Sequence, residues 1–248
     1  MRLKLILPVI ITLLALQTQA QDMWFEAGIK AGYGPTVLWE SNISDSDFHD
    51  MNINSGVRYG LNLNVNFDQG GGIILETLIT HGKQTFDYDG FGDILAGKHT
   101  IDWKSTDVFL LYRFVNRGAF IEIGPKMSFM GSVDHDLSNN PTNPFAEIDV
   151  ESMYTDNYLS GVLGFGGYLF GSREFTVGLG LRFEYAFQNF TSDEGKEAGF
   201  PLTSALDSSY DPGDLRNINV YATLEIKIPI GRFSKIQCGQ RGFLFGGG

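Results

Sequence analysis

His49, His81, His99 and His135 are the only imidazoles in the chain, and two of them stand directly among carboxylates. The runs DFHD (47–50) and DHD (134–136) put aspartates beside a histidine, a donor set able to take a divalent metal. Neither run has the i, i+4 spacing that sets two ligands on one helix face, and solvated polar loop residues explain both more simply. The run DYDGFGD (87–93) offers Asp87, Asp89 and Asp93 around a glycine turn, hard oxygens suited to Ca2+. Its order departs from an EF-hand, with Phe91 at the fifth position and Lys98 at the twelfth, so a plain acidic loop is the simpler reading. For catalysis, His81 and His99 have Asp87 and Asp102 close in sequence, the ingredients of an Asp/His or Ser/His/Asp site. No GxSxG marks an activated serine, so no catalytic residue is assigned and the chain is read as a non-enzyme. GFGG (164–167) and GLG (178–180) lie inside strand-like runs and open no helix, which excludes a phosphate loop. Cys238 is the single cysteine, so there is no disulfide framework and no CxxC motif.

The totals narrow the partners. A net charge of -11 over 248 residues argues against nucleic acid, which needs a basic stripe. Acids in the polar connections, among them Asp193, Glu194, Asp207, Asp211 and Asp214, suit divalent ions bridging anionic lipid headgroups. Residues 1–20, MRLKLILPVIITLLALQTQA, carry Arg2 and Lys4, an apolar core from Leu5 to Leu16 and small or polar residues up to Ala20. That is the build of a secretory signal peptide. No later segment is long and apolar enough for a spanning helix, so a membrane form must be a barrel.

The elements that position these residues alternate with period two. Eight runs stand out: 24–38, 57–67, 73–86, 101–114, 120–131, 154–170, 175–187 and 217–230. In the second, VRYGLNLNVNF, Val57, Tyr59, Leu61, Leu63, Val65 and Phe67 oppose Arg58, Gly60, Asn62, Asn64 and Asn66. The polar or glycine turns DQGGG, VNRGA and GSRE join runs two to three, four to five and six to seven. Long polar stretches near 39–55, 87–100, 132–153 and 191–216 separate the others. Short connections at one end and long ones at the other, with an even strand number, predict an all-β fold. It is an eight-stranded antiparallel up-and-down transmembrane β-barrel with periplasmic turns and outer loops, located in the cell outer membrane. Its parts are a signal peptide (1–20), the barrel (21–233) and a periplasmic C-terminal tail (234–248), read as a disordered extension.

A soluble eight-stranded barrel has the same period with its apolar face inside. Size decides between the two, because eight strands enclose a lumen just wide enough for side chains. The bulky residues fill one face, while Gly28, Gly32, Gly60, Gly124, Gly178 and Gly180 lie on the other, so the bulky face turns to lipid. The inner face then carries Lys30, Arg58, Arg113, Lys126, Arg182 and Lys227 against Glu26, Glu76, Asp107, Glu122, Glu184 and Glu225. Equal numbers of each sign predict mutual pairing in a closed lumen, a plug rather than a channel. Arg58 in particular is expected to point inward and meet a carboxylate on a neighbouring strand. Two aromatic girdles are expected. One comprises Phe67, Phe114, Phe120, Phe170, Phe175 and Phe233 at the short turns; the other Tyr33, Trp39, Trp103, Phe129 and Phe187 toward the loops.

ETLITHGKQ (76–84), TDVFLLYRF (106–114), FIEIGPKMSF (120–129) with its Gly124-Pro125, LGFGGYLF (163–170) and LRFEYAFQNF (181–190) follow one another in an order that resembles the PorT-like outer-membrane β-barrel family of Bacteroidota. The likeness spans most of residues 24–233. Phe109 stands where that family usually has proline, and Thr80-His81 where it has Tyr-Ser or similar. The resemblance implies an eight-stranded barrel in the outer membrane and allows a role accessory to secretion or envelope assembly, since the best-known branch takes part in type IX secretion. The sequence as a whole predicts a monomeric barrel at the cell envelope with a structural or binding role. Its partners are outer-membrane lipid and envelope or secretion proteins, without a cofactor beyond Ca2+ at the acidic loops. A small passive channel and an enzyme sited at the rim are the contrasting readings.

Overall fold

The computed structural model describes residues 23–44, 49–67, 70–89, 96–138, 149–171, 174–201, 212–235 and 241–245. The expected signal peptide, Asp93, Asp207, Asp211 and Cys238 lie outside them. Ten strands form: β1 (Met23–Trp39), β2 (His49–Asn52), β3 (Asn54–Phe67), β4 (Gly71–Tyr88), β5 (Gly97–Asn116), β6 (Ala119–Leu137), β7 (Asn157–Gly171), β8 (Thr176–Ala186), β9 (Arg216–Lys235) and β10 (Arg241–Phe245). The sheet runs β1-β3-β4-β5-β6-β7-β8-β9, and antiparallel pairing of β9 with β1 closes it into a ring of eight. Closure pairs the backbone groups that an open sheet edge would leave bare in hydrocarbon. β2 adds to β4 beyond the end of β3, and β10 folds back on β9, so part of the tail read as a disordered extension continues the sheet. Among the described residues no helix is long and apolar enough to cross a membrane.

Local chemistry sets the connections. The VNRGA turn between β5 and β6 has Arg117 at φ 50° and Gly118 at φ 85°. Two positive-φ central residues match the twist of a tight hairpin. At the other end α1 (Ser41–Ser44), a 3-10 turn (Glu151–Met153) and α2 (Asp193–Glu197) occupy the long connections.

The bulky face turns outward. Tyr59, Leu61 and Leu63 on β3 are exposed, as are Leu179, Leu181, Phe183 and Tyr185 on β8, and Leu61 leaves 65% of its surface uncovered. Buried on the opposite face of β3 are Arg58, Asn62, Asn64 and Asn66. Two girdle expectations need correction. Trp103 (2% exposed) and Phe120 (5%) point inward, while Tyr33, Trp39, Phe114, Phe129, Phe170, Phe175 and Phe187 are exposed.

The strands also run past the apolar belt. On β5 the outward residues are Leu110, Tyr112 and Phe114 toward the turn, then Thr106, Lys104, Asp102 and Lys98 toward the loops. Their inward neighbours change in the opposite sense, from Arg113 and Asp107 to Trp103 and Ile101. A register shift beside Lys104/Ser105 leaves Gly131 on β6 unpaired as a bulge, turning Val133 and Leu137 inward beside this apolar segment. The stretches 97–100 and 132–137, expected as loop, are therefore strand that emerges from the membrane.

Candidate functional site: a charged lumen under an apolar cap

All twelve charges expected on the inner face point into the lumen, and they form layers. Nearest the periplasm, Lys227 Nζ lies 3.1 Å from Glu26 and 3.4 Å from Glu225. The next layer joins three cations to three carboxylates. Lys30 Nζ is 2.7 Å from Glu76 and 3.3 Å from Glu225; Arg182 donates to Glu76 and Glu122, each at 2.6 Å; Arg113 bonds Glu122 and donates to Glu225 Oε2 at 2.6 Å. Toward the loops a third layer holds Arg58 and Lys126 with Glu184 and Asp107. Thr80 and Ser105 hydroxyls donate to Asp107 at 2.7 and 2.9 Å.

Small residues make room for these groups. A Cβ on Gly178 would lie 3.0 Å from Glu225 Cγ, and one on Gly32 would lie 3.0 Å from Arg58 Cγ. The lumen is not uniformly polar, however. Phe109 is fully buried between the two larger charge layers, with the guanidinium of Arg182 5.0 Å and that of Arg58 5.7 Å from its ring centre. Around it Ile74, Leu78, Leu111 and Val162 form a small apolar cluster.

Glu76, Glu122 and Glu225 bring carboxylate oxygens within 4.8 Å of one another, the one set of three or more metal-ligand side chains at such spacing among the described residues. Lys30, Arg113 and Arg182 already donate into this group, so charge balance there is met by the protein's own cations. The DHD run behaves differently from a ligand set. Successive strand residues face opposite sides, so Asp134 and Asp136 are exposed while His135 turns in beneath the loops. Asp87 lies 3.0 Å from the Lys98 ammonium, and the neighbouring Asn52 side chain together with this ammonium holds its carboxyl below the usual range. Asp89 is exposed. His81 stacks on Tyr59, with ring centres 6.4 Å apart.

Above the ions lies a cap that the period-two reading missed. Leu38, Ile43, Phe86, Ile101, Trp103, Val133, Tyr154, Phe190 and Phe200 are among its buried members. Within it His99 Nε2 and His135 Nδ1 share a hydrogen bond of 2.8 Å, and His135 Nε2 bonds the Tyr154 hydroxyl at 2.6 Å. Burial holds the His135 pKa down to about 3. The available signal was a change on β5, where apolar residues are odd-numbered alone at Ile101 and Trp103, whereas from Val108 to Phe114 every even-numbered position is apolar as well.

An apolar belt outside, paired ions inside and a closed ring together fit only a lipid-embedded wall. The chain is an eight-stranded β-barrel of the outer-membrane type. No family model and no curated protein sequence matches it. Among solved structures it is similar to Neisserial surface protein A, with 9% identity, 82% of this chain and 96% of that one covered, and a TM-score of 0.40. OprG from Pseudomonas aeruginosa aligns at 14% identity over 84% and 96% of the two chains, TM-score 0.37. Ail, the attachment invasion locus protein of Yersinia pestis, aligns at 11% identity over 85% and 100%, TM-score 0.30. These similarities concern the fold alone, and the membrane assignment rests on the belt and ring of this chain.

Proposed function

We propose that the protein is a non-conducting barrel of the outer membrane with a structural or binding role at the cell envelope. The observation that carries this reading is the lumen, where six cations pair with six carboxylates, eleven of these twelve groups buried, with the apolar cap closing the outer end. A permanent aqueous path would have to displace paired ions whose separation leaves charges unpartnered at several kcal/mol each. A passive channel is therefore the weaker reading, and no reaction is assigned. The resemblance of 76–84, 106–114 and 120–129 to PorT-like barrels supports a role accessory to secretion or envelope assembly. Planar-bilayer recording of the folded barrel tests the plug: a silent membrane is expected, and stepwise conductance would overturn it. Crosslinking in intact cells, followed by mass identification of what is attached to the outer loops, tests the accessory role; capture of lipid and no protein would remove it.

A further inference from the structure

On one side β9 outruns its neighbour. β8 pairs with it only as far as Thr176 opposite Lys227, whereas β1 follows it to Met23 opposite Phe233. The place that β8 vacates is taken by β10, which runs antiparallel to β9 with Arg241 opposite Lys235 and Phe245 opposite Gly231. Among the described residues β10 pairs with no other strand, so its second edge is bare at the end of the barrel that carries the tight turns. A bare strand edge is a template for another extended chain.

The charge of this segment is one-sided too. From Ile228 to Gly248 the chain carries Arg232, Lys235 and Arg241 and no acidic residue, against a net charge of -11 for the whole. The register sets Arg241 directly opposite Lys235, an arrangement that costs stability until an anion answers it. The adjoining stretch of β1, Met23 to Phe25, brings no carboxylate.

We propose that the open edge of β10 is a docking site for an extended acidic segment of a periplasmic partner protein, which adds to the sheet as a further strand. Backbone pairing supplies the attachment, and the cations select the sign. A second copy of this chain would bring three more cations to the same edge, and a lipid headgroup has no backbone to pair. The inference rests on the barrel reading above. Its test uses the folded barrel in phosphatidylcholine nanodiscs and two fluorescent peptides, one alternating threonine with glutamate and the other threonine with lysine. The glutamate peptide should bind about tenfold more tightly, the worth of two or three exposed ion pairs. It should also slow amide hydrogen exchange over 241–245. Lys235→Glu combined with Arg241→Glu should remove the preference. Successive amides of a strand face opposite edges, so Phe243→Pro and Leu244→Pro between them strike both edges of β10, and each should abolish binding of the glutamate peptide. Equal binding of the two peptides, or binding without protection at 241–245, would overturn the site. So would two barrels per particle before peptide is added, or loss of binding in phosphatidylglycerol nanodiscs, which would give the edge to a second copy or the cations to lipid. Heat-modifiable gel migration separates the two readings: its absence in wild type removes the barrel itself, while its presence with no peptide bound removes only the docking edge.

Discussion

Arg58 on β3 bonds Glu184 on β8, with Nη2 to Oε2 at 3.0 Å, although β1 and β9 lie between their strands around the ring. The side chain follows the inner wall to get there. Its stem passes Gly32 on β1 and its guanidinium stacks over Tyr221 on β9, 3.5 Å from the ring centre. The carboxylate expected on a neighbouring strand is therefore two strands further round. Lys126 on β6 approaches the same glutamate at 2.9 Å, so one acid ties three strands of the ring together.

Breaking that pair should cost more than removing it. Glu184→Met strands Arg58 at a cost of about 3–5 kcal/mol, the usual range for orphaning a buried charge, while Arg58→Met leaves Glu184 with Lys126 as its remaining cation and should cost less. The double substitution should be less destabilised than either single. Urea unfolding followed by heat-modifiable migration checks this, and additive losses would show the two groups to be uncoupled.

The outward face has its own test at Leu61. An arginine there meets hydrocarbon, and Leu61→Arg should lose about 2–4 kcal/mol if that position is near the bilayer midplane. Leu61→Phe should fold as wild type. Equal stability of the two variants in vesicles would mean that this face does not contact lipid.

The cap should be separable from the barrel. Trp103 packs edge-on against Phe190, ring centres 5.5 Å apart, and deleting such a ring costs about 3–5 kcal/mol. Trp103→Ala is expected to make the outer connections cleavable by protease while the barrel keeps its heat-modifiable migration. Simultaneous loss of both would show that cap and lumen fold as one unit.

Acid should loosen the same cap. His135 is held neutral in the fold, its pKa lowered to about 3 by burial, whereas an exposed imidazole titrates near 6.5. Because the folded value is the lower one, the stabilisation is complete above about pH 6.5 and declines as pH falls toward 3. Carboxylates that face the pair's strands from outside, Asp134 and Asp136, are solvent-exposed and do not offset a charge inside. Trp103 emission should shift to the red over that window, and the shift should shrink in His135→Gln. An identical acid response in both proteins would assign the change to another group.

Alternation by itself determined most of the barrel. A period of two sorts side chains between two faces without reference to any distant contact, so the eight ring strands, the tight VNRGA turn and the inward parity of Arg58, Glu76, Arg113, Glu122, Arg182 and Glu225 could be read directly from residue order. Parity could not name partners, because Arg58 reaches Glu184 only through the curvature that brings β1, β9 and β8 within one side chain's length. Nor could it assign Phe109 to the middle of the charges. The cap depended on something outside the chain. The same inward face holds ions where the wall is bathed in hydrocarbon and becomes apolar at Ile101, Trp103 and Val133, where the wall emerges into water. Only the folded barrel, with its Gly131 bulge and overlong β4 to β6, shows where that change of solvent falls.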